Sequence, residues 1–151
     1  MQHFNIVLVE PEIPPNTGSI ARLCGATNTT LHLVHPLGFS TDDKHLKRAG
    51  LDYWEHVEVV HWQSLEALLE SCDEHALKFY TTKTTRPYTE AVYRPGDFLV
   101  FGKETSGLPE EIRSSYAELC YTLPMENNNI RSLNLAMTAG IVLYEALRQQ
   151  Q

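Results

Sequence analysis

The chain has 151 residues, of which 42% are hydrophobic and 21% are charged. These proportions are ordinary for one soluble domain, and they exclude disordered, collagen-like and low-complexity chains. No apolar run approaches the roughly 18 residues that a membrane span needs, and the N-terminus lacks the basic residues of a secretory signal. We therefore expect a single domain over residues 1–151 that does not act at a membrane.

The net charge of −7 is unevenly distributed along the chain. Residues 50–76 contain seven acidic side chains and no Lys or Arg. The rest of the chain is nearly balanced and includes two locally basic clusters: Lys44, His45, Lys47 and Arg48, and then Lys78, Lys83, Arg86 and Arg94. An acidic flank beside a basic face is compatible with RNA binding, so the net charge does not exclude a nucleic-acid partner.

The three cysteines, Cys24, Cys72 and Cys120, are widely spaced and include no C-x-x-C pair. An odd number of scattered cysteines argues against a disulfide framework and against a zinc site made of thiolates. Reduced cysteines of this kind indicate a cytoplasmic protein.

Apolar runs that are typical of strands alternate with segments that are typical of helices. The predicted strands are Asn5–Glu10, Leu31–Val34, Val57–Trp62, Leu77–Thr81, Phe98–Phe101 and Leu119–Leu123. The predicted helices are one after Pro14-Pro15 with Asn16 or Thr17 as its N-cap, one from Asp42 to Ala49, one over Ser64–Ser71, one beginning at Pro109, and a long last helix over Leu133–Gln149. This alternation predicts an α/β domain with a mostly parallel sheet flanked by helices.

The last predicted helix is apolar on almost every face. Between Leu135 and Leu147 the only polar side chains are Thr138, Tyr144 and Glu145. A helix that buries one face should show a wide polar stripe. This helix is therefore either enclosed within its own domain or packed between the sheet and a second copy of the chain, and we favour a homodimer through this helix.

Common cofactor and metal motifs are absent from the sequence. No G-x-G-x-x-G follows a predicted strand, and the glycine spacing of Gly102 and Gly107 lacks the Lys-Ser/Thr of a P-loop. His32 and His35 are three apart on a strand, which places them on opposite faces, so we expect no metal site.

Three polar segments remain beside the predicted strands, where α/β proteins hold their ligands. They run from Asn16 to Arg22, from Phe101 to Pro109, and from Leu123 to Asn134. Each one alone could be an ordinary helix cap or turn. In the second segment, two glycines five apart suggest a loop whose backbone approaches a ligand closely.

Together and in this order, the three segments resemble the SPOUT superfamily of RNA methyltransferases. The resemblance rests on N-x-G-x-x-x-R from Asn16, F-G-x-E-x-x-G-L-P from Phe101, and L-P-M followed by R-S-L-N-L from Leu123. Further matches to the TrmL (YibK-type) tRNA 2′-O-methyltransferases are E-P-E-I-P-P-N-T-G from Glu10, D-D-K from Asp42, K-R-A-G-L-D-Y from Lys47 and Y-E-A-L-R-Q from Tyr144. The resemblance covers essentially the whole chain.

The resemblance implies a fold, a cofactor and an assembly. Members of the superfamily thread the C-terminal part of an α/β domain into a deep trefoil knot, an exception to the usual absence of knots. The knot holds S-adenosylmethionine, here with Tyr80, Gly102, Leu123 and Ser132 at the matching positions and much of the binding through backbone groups. The family's obligate dimer completes the site across the interface.

The resemblance also implies a reaction, which is methyl transfer to the ribose 2′-hydroxyl of the wobble nucleotide in leucine tRNAs, a cytidine or a modified uridine. Arg22 matches the catalytic arginine of the family, and Asn16, Glu104 and Asn134 match its other polar site positions. Arginine stays protonated at neutral pH, so we expect Arg22 to hold a phosphate and polarise the hydroxyl. The candidates for binding tRNA phosphates are Lys44, Lys47, Arg48, Arg86 and Arg131.

Two other functions are compatible with the same sequence. One is 2′-O-methylation of a different tRNA or rRNA position, which the cofactor motifs do not distinguish from the wobble site. The other is a dimeric RNA-binding module without catalysis, against which the intact Arg22, Glu104, Ser132 and Asn134 argue.

Overall fold

The computed structural model describes residues 3–44, 46, 48 and 53–151. Its strands are β1 (Asn5–Val9), β2 (Thr30–Val34), β3 (Val59–Trp62), β4 (Leu77–Tyr80), β5 (Phe98–Phe101) and β6 (Cys120–Tyr121). Its α-helices are α1 (Pro14–Thr27), α2 (Leu65–Ser71), α3 (Glu110–Ser115) and α4 (Leu135–Arg148). The predicted helix from Asp42 to Ala49 falls partly outside the described residues.

The strands form one six-stranded sheet in the order β3-β2-β1-β5-β4-β6. Every pairing between them is parallel, which confirms the predicted α/β architecture. Apolar side chains pack on both faces of the sheet, and this is why its central strands are continuous apolar runs. On one face, α1 and α4 pack against each other and against the sheet.

The start of α1 differs from the prediction. The helix begins at Pro14, Ile13 is its N-cap, and both prolines occupy the first turn, where a missing N–H costs nothing. Asn16 therefore lies inside the helix, and the amide groups ahead of the helix are satisfied by a distant side chain described below. A local cap by Asn16 or Thr17 was wrong for this reason.

Two other expectations need correction. The sixth strand is shorter than the predicted Leu119–Leu123, because Leu119 belongs to the turn that precedes Cys120. Lys78 is not part of a basic surface: its ammonium group is buried and lies 2.7 Å from Oδ2 of Asp97. A buried lysine needs such a partner, since an unpaired buried charge is very costly.

Among the described residues, none of the helices combines the length and the apolar composition that a bilayer-crossing segment requires. The same part of the chain contains no group of three or more His, Cys, Asp or Glu side chains placed to hold a metal ion.

Candidate functional site

A cleft of about 970 Å³ opens at the carboxyl ends of β4, β5 and β6. Three stretches of chain supply most of its wall, namely residues 80–83, 101–108 and 122–138. Ile13 and Asn16 at the start of α1, and Arg113 in α3, complete the lining. The size is that of a site for a small cofactor, and the position matches the edge where parallel sheets bind ligands.

The glycine loop, residues 102–107, follows β5 and folds back on itself. The N–H of Gly107 donates to the carbonyl of Lys103 at 3.0 Å, and Gly107 has a φ of +67° that favours glycine. A Cβ at position 102 would lie 2.2 Å from the carbonyl carbon of Gly107 and 2.4 Å from the nitrogen of Leu108. Glycine is thus needed at 102 because the loop's own backbone comes so close, a cause that differs from the ligand approach expected from sequence.

Glu104 projects from the glycine loop to the start of α1. Its Oε1 accepts the N–H of Glu12 at 2.9 Å, and its Oε2 accepts the N–H of Ile13 at 2.8 Å. The same Oε2 accepts from Nδ2 of Asn16 at 3.3 Å. One carboxylate therefore satisfies the amide groups ahead of the helix that have no helical partner, and it adds a negative charge at the positive end of the helix dipole.

Asn16 and Asn134 extend this network to the last helix. Nδ2 of Asn134 donates to Oδ1 of Asn16 at 3.1 Å, while Oδ1 of Asn134 caps α4 by accepting from the N–H groups of Ala136 and Met137. Each amide can donate only through nitrogen, so the orientation of both side chains is fixed. The network joins the glycine loop to the first turns of α1 and α4, and all three of its side chains line the cleft.

The structure does not bring Arg22 to this network. Arg22 is exposed on α1 and is not among the described residues that line the cleft of its own chain. Its guanidinium lies 4.8 Å from the centre of the Tyr53 ring, a cation–π distance. Three of the four residues predicted to be catalytic are thus together, and the fourth lies elsewhere on the surface.

All four positions predicted for the cofactor, Tyr80, Gly102, Leu123 and Ser132, line the cleft. The side chain of Tyr80 itself is buried in the core: its ring stacks on Phe101 at 4.9 Å, and its hydroxyl donates to that of Tyr93 at 2.9 Å. Burial raises the pKa of Tyr80 well above its usual value, so the phenol stays neutral. A core role for this ring agrees with an expected cofactor contact through the backbone.

The residues predicted to bind RNA are dispersed. Arg131 is exposed at the rim of the cleft, and Lys44 and Arg48 are exposed on the segment after β2. Arg86 donates to the carbonyl of Glu118 and lies over the ring of Tyr121. Lys47 lies outside the described residues.

Sequence reasoning missed Glu12 and Thr105. The N–H and the hydroxyl of Thr105 donate to Oε1 of Glu12 at 3.1 and 2.7 Å. These residues are 93 apart and meet only because β1 and β5 are neighbours in the sheet. No local spacing signals such a contact.

The features of the SpoU rRNA Methylase family match residues 3–144 of this chain. The chain belongs to this family. A curated relative from Methylovorus glucosotrophus (strain SIP3-4) is 51% identical over 147 residues, covering 97% of this chain and 95% of its own. A relative from Escherichia coli (strain K12) is 47% identical over 147 residues, covering 97% of this chain and 93% of its own. Both relatives are named tRNA (cytidine(34)-2′-O)-methyltransferase.

Solved structures agree with this place in the SpoU family. One, described as giving structural insights into the 2-OH methylation of C/U34 on tRNA, superimposes with a TM-score of 0.91 at 41% identity and covers 99% of this chain and 97% of its own. A second, an RNA 2′-O ribose methyltransferase, is 24% identical with a TM-score of 0.82, and it supports the fold alone. The family expected from the sequence motifs is therefore confirmed.

Proposed function

We propose that this protein transfers a methyl group from S-adenosylmethionine to the ribose 2′-hydroxyl of nucleotide 34 of tRNA, in leucine isoacceptors. The observation that carries the proposal is the cleft, in which Asn16, Glu104 and Asn134 form one hydrogen-bonded network beside the glycine loop. The names of relatives about half identical over nearly the whole chain support the tRNA position. An exposed anticodon-loop ribose needs no melting of a helix, which suits a small enzyme.

The residues of the cleft fit S-adenosylmethionine. The cleft is lined by apolar residues such as Leu108, Leu123 and Leu135 and by the hydroxyl-bearing residues Thr81, Ser132 and Thr138, a mixture suited to a flat purine and a ribose. Lys103, Arg113 and Arg131 also line the cleft and suit the carboxylate of the methionine part. When bound, S-adenosylmethionine supplies a methyl group already activated by its positive sulfur, and the product is S-adenosylhomocysteine.

The reaction further requires a group that orients the ribose hydroxyl and helps it to lose its proton. We assign this role to Arg22, whose guanidinium has five N–H donors and no acceptor, and which can hold a neighbouring phosphate while it polarises the hydroxyl. Because Arg22 lies away from the cleft of its own chain, we propose that it serves the cleft of a second copy. The exposed apolar side chains of α4 support such a homodimer.

Lys44, Lys47, Arg48, Arg86 and Arg131 are proposed to contact the phosphates of tRNA. Of these, Lys44, Arg48 and Arg131 are exposed in the structure, and binding through such charges should weaken steeply with added salt. We also propose the trefoil knot implied by the resemblance, which would bring residues 122–134 beside the glycine loop. A cytoplasmic location is supported by the three free cysteines.

The experiment uses methyl-labelled S-adenosylmethionine with total tRNA and, in parallel, ribosomal RNA. We expect label in tRNA, about a hundredfold less of it with Arg22→Ala because the loss of one positioned donor commonly has that effect, and no change with Arg94→Ala. Arg94 is an exposed arginine outside the cleft lining, so it controls for the loss of one surface charge. Label confined to ribosomal RNA would show that the substrate is ribosomal RNA and not tRNA. A protein that binds the cofactor but labels neither RNA would contradict the proposed activity.

A further inference from the structure

The segment before α1 and the glycine loop are joined by hydrogen bonds in both directions, and each of the two segments supplies one accepting carboxylate. Glu104 of the loop accepts the N–H groups of Glu12 and Ile13. In return, Glu12 accepts both the N–H and the hydroxyl of Thr105. We call these four hydrogen bonds between Glu12, Ile13, Glu104 and Thr105 the clasp. The two hydrogen bonds from Thr105 lower the pKa of Glu12, so its carboxylate is ionised.

The clasp lies where an α/β sheet usually opens. From β1 the chain turns through α1 to β2 on one side, whereas β5, its other neighbour, leads through α3 to β6 on the opposite side. Such a change of direction commonly leaves a crevice for ligands. Here the clasp joins the segments that follow β1 and β5, and Glu104 and Thr105 form part of the wall of the cleft over β4, β5 and β6.

A weaker contact also joins the glycine loop to the segment that follows β1. Nζ of Lys103 lies 3.5 Å from Oε1 of Glu10, and both side chains are about one-third exposed. An ion pair between side chains this exposed contributes little to the stability of the folded protein. The hydrogen bonds of Glu12 and Glu104 therefore carry the attachment of the loop to the first helix.

We propose that Glu12 is a positioning residue for the methyl transfer, which holds the glycine loop in the shape that binds the cofactor. The proposal rests on the proposed function. Glu12 is not among the described residues that line the cleft, so its carboxylate acts through Thr105, which does line it. Through the same clasp the loop is joined to α1, the helix that carries Arg22.

The chemistry of the clasp offers a conservative variant. Both hydrogen bonds from Thr105 end on the same oxygen, Oε1 of Glu12. The carbonyl oxygen of a glutamine could accept both, whereas alanine could accept neither. Glu12→Gln should therefore retain the position of the loop, and Glu12→Ala should release it.

The test is the Kd for S-adenosylmethionine, measured by titration calorimetry on the full chain, together with KM and kcat. We expect Glu12→Ala to raise the Kd and the KM for the cofactor about tenfold, as the loss of two hydrogen bonds of ordinary strength implies. Glu12→Gln should stay within about threefold of the wild type, and Thr105→Val, which loses one hydrogen bond, should fall between them. Glu110→Ala, at an exposed glutamate of α3, is the matched control and should not change the Kd.

The thermal midpoint of each variant separates positioning from stability. If Glu12→Ala and Thr105→Val lower the midpoint but bind cofactor as tightly as the wild type, Glu12 has only a structural role and the inference is overturned. If Glu12→Ala does not fold, the comparison of Thr105→Val with the wild type decides in the same way. A wild-type protein that binds no S-adenosylmethionine would contradict the proposed function itself. That outcome is distinct from one in which the wild type and the variants all bind the cofactor with the same Kd, which would overturn only the role of Glu12.

Discussion

His32 is held as a neutral imidazole inside the sheet. The indole N–H of Trp62 donates to Nδ1 of His32 at 2.9 Å, and an indole can only donate. The ring proton therefore lies on Nε2, which donates to Oδ1 of Asn5 at 2.9 Å. The side chain links β3 and β1 through β2, and burial lowers its pKa to about 4 against a smaller opposing effect of Glu58.

The lowered pKa of His32 predicts a pH dependence of stability. The folded protein binds this proton less readily than the unfolded chain, so the contribution is complete above about pH 6.5 and is lost as the pH falls towards 4. The loss should approach about 3 kcal/mol. In urea unfolding at pH 4.5, 6 and 7.5, His32→Gln should show a smaller decline than the wild type, and equal declines would contradict this account.

Gly102 gives a second prediction at the scale of one residue. An added Cβ would meet backbone atoms at 2.2 and 2.4 Å, and backbone cannot rotate away as a side chain can. We expect Gly102→Ala to lower the free energy of unfolding by about 2–3 kcal/mol, a cost typical of overpacking, and to weaken cofactor binding.

The control for Gly102 is Gly140→Ala in α4. There the nearest atom outside the helix backbone to an added Cβ is Cδ2 of Leu23 at 4.0 Å, an ordinary contact, and alanine favours a helix by up to about 1 kcal/mol. Urea unfolding of both variants measures the difference. A Gly102→Ala protein as stable as the wild type would show that the loop can relax.

At the scale of elements, the strands could be predicted from the sequence, whereas the hydrogen bonds that connect the helices and loops to one another could not. Buried parallel strands are visible as apolar runs such as Phe98–Phe101, because both of their faces are covered. The start of α1 was misplaced because its cap is supplied by Glu104, 91 residues from Ile13. The roles of Glu104, Asn16 and Asn134 came from resemblance, and only the fold shows that they bind one another.

Helix α4 leaves an apolar stripe uncovered on the single chain. Met137, Ile141 and Tyr144 recur at helical spacing and are 64%, 42% and 57% exposed, while Val142 and Leu143 are buried. Side chains at i, i+4 and i+7 share one face. This helix has few polar residues because one of its faces packs on its own domain. We propose that its second apolar face packs on another copy of the chain.

If α4 forms the dimer interface, charged substitutions on its exposed apolar face should convert the dimer to a monomer. In sedimentation experiments the wild type should be a dimer, and Met137→Asp combined with Tyr144→Asp should be a monomer, because two charges would be buried without partners. Ser114→Asp, at an exposed position of α3, should leave the dimer intact. A wild-type monomer, or a double variant that still sediments as a dimer, would contradict the role of α4.

For the whole molecule, the sheet order explains why a net charge of −7 is compatible with a tRNA substrate. Of the six acidic residues of the 50–76 stretch that the structure describes, Glu55 and Glu58 precede β3 at one edge of the sheet, and Glu66 and Glu70 lie on α2, which contacts β3. Asp73 and Glu74 instead precede β4. The cleft opens near the other edge, over β4, β5 and β6, with Lys103, Arg113 and Arg131 in its lining. Four of the six described carboxylates therefore belong to elements other than those that form the cleft, and the steering of an RNA depends on the local field around the cleft rather than on the net charge.

The most direct test of the account is to locate the methyl group in the RNA. Purified leucine tRNA, transcribed without modifications and also isolated from cells, would be incubated with the protein and S-adenosylmethionine, digested with nuclease and analysed by mass spectrometry. We predict one new methyl group, on the ribose of nucleotide 34, that is absent with Arg22→Ala and present with Arg94→Ala. A methyl group on a base, on a different nucleotide, or undiminished in Arg22→Ala would contradict the proposed activity or its assignment to Arg22.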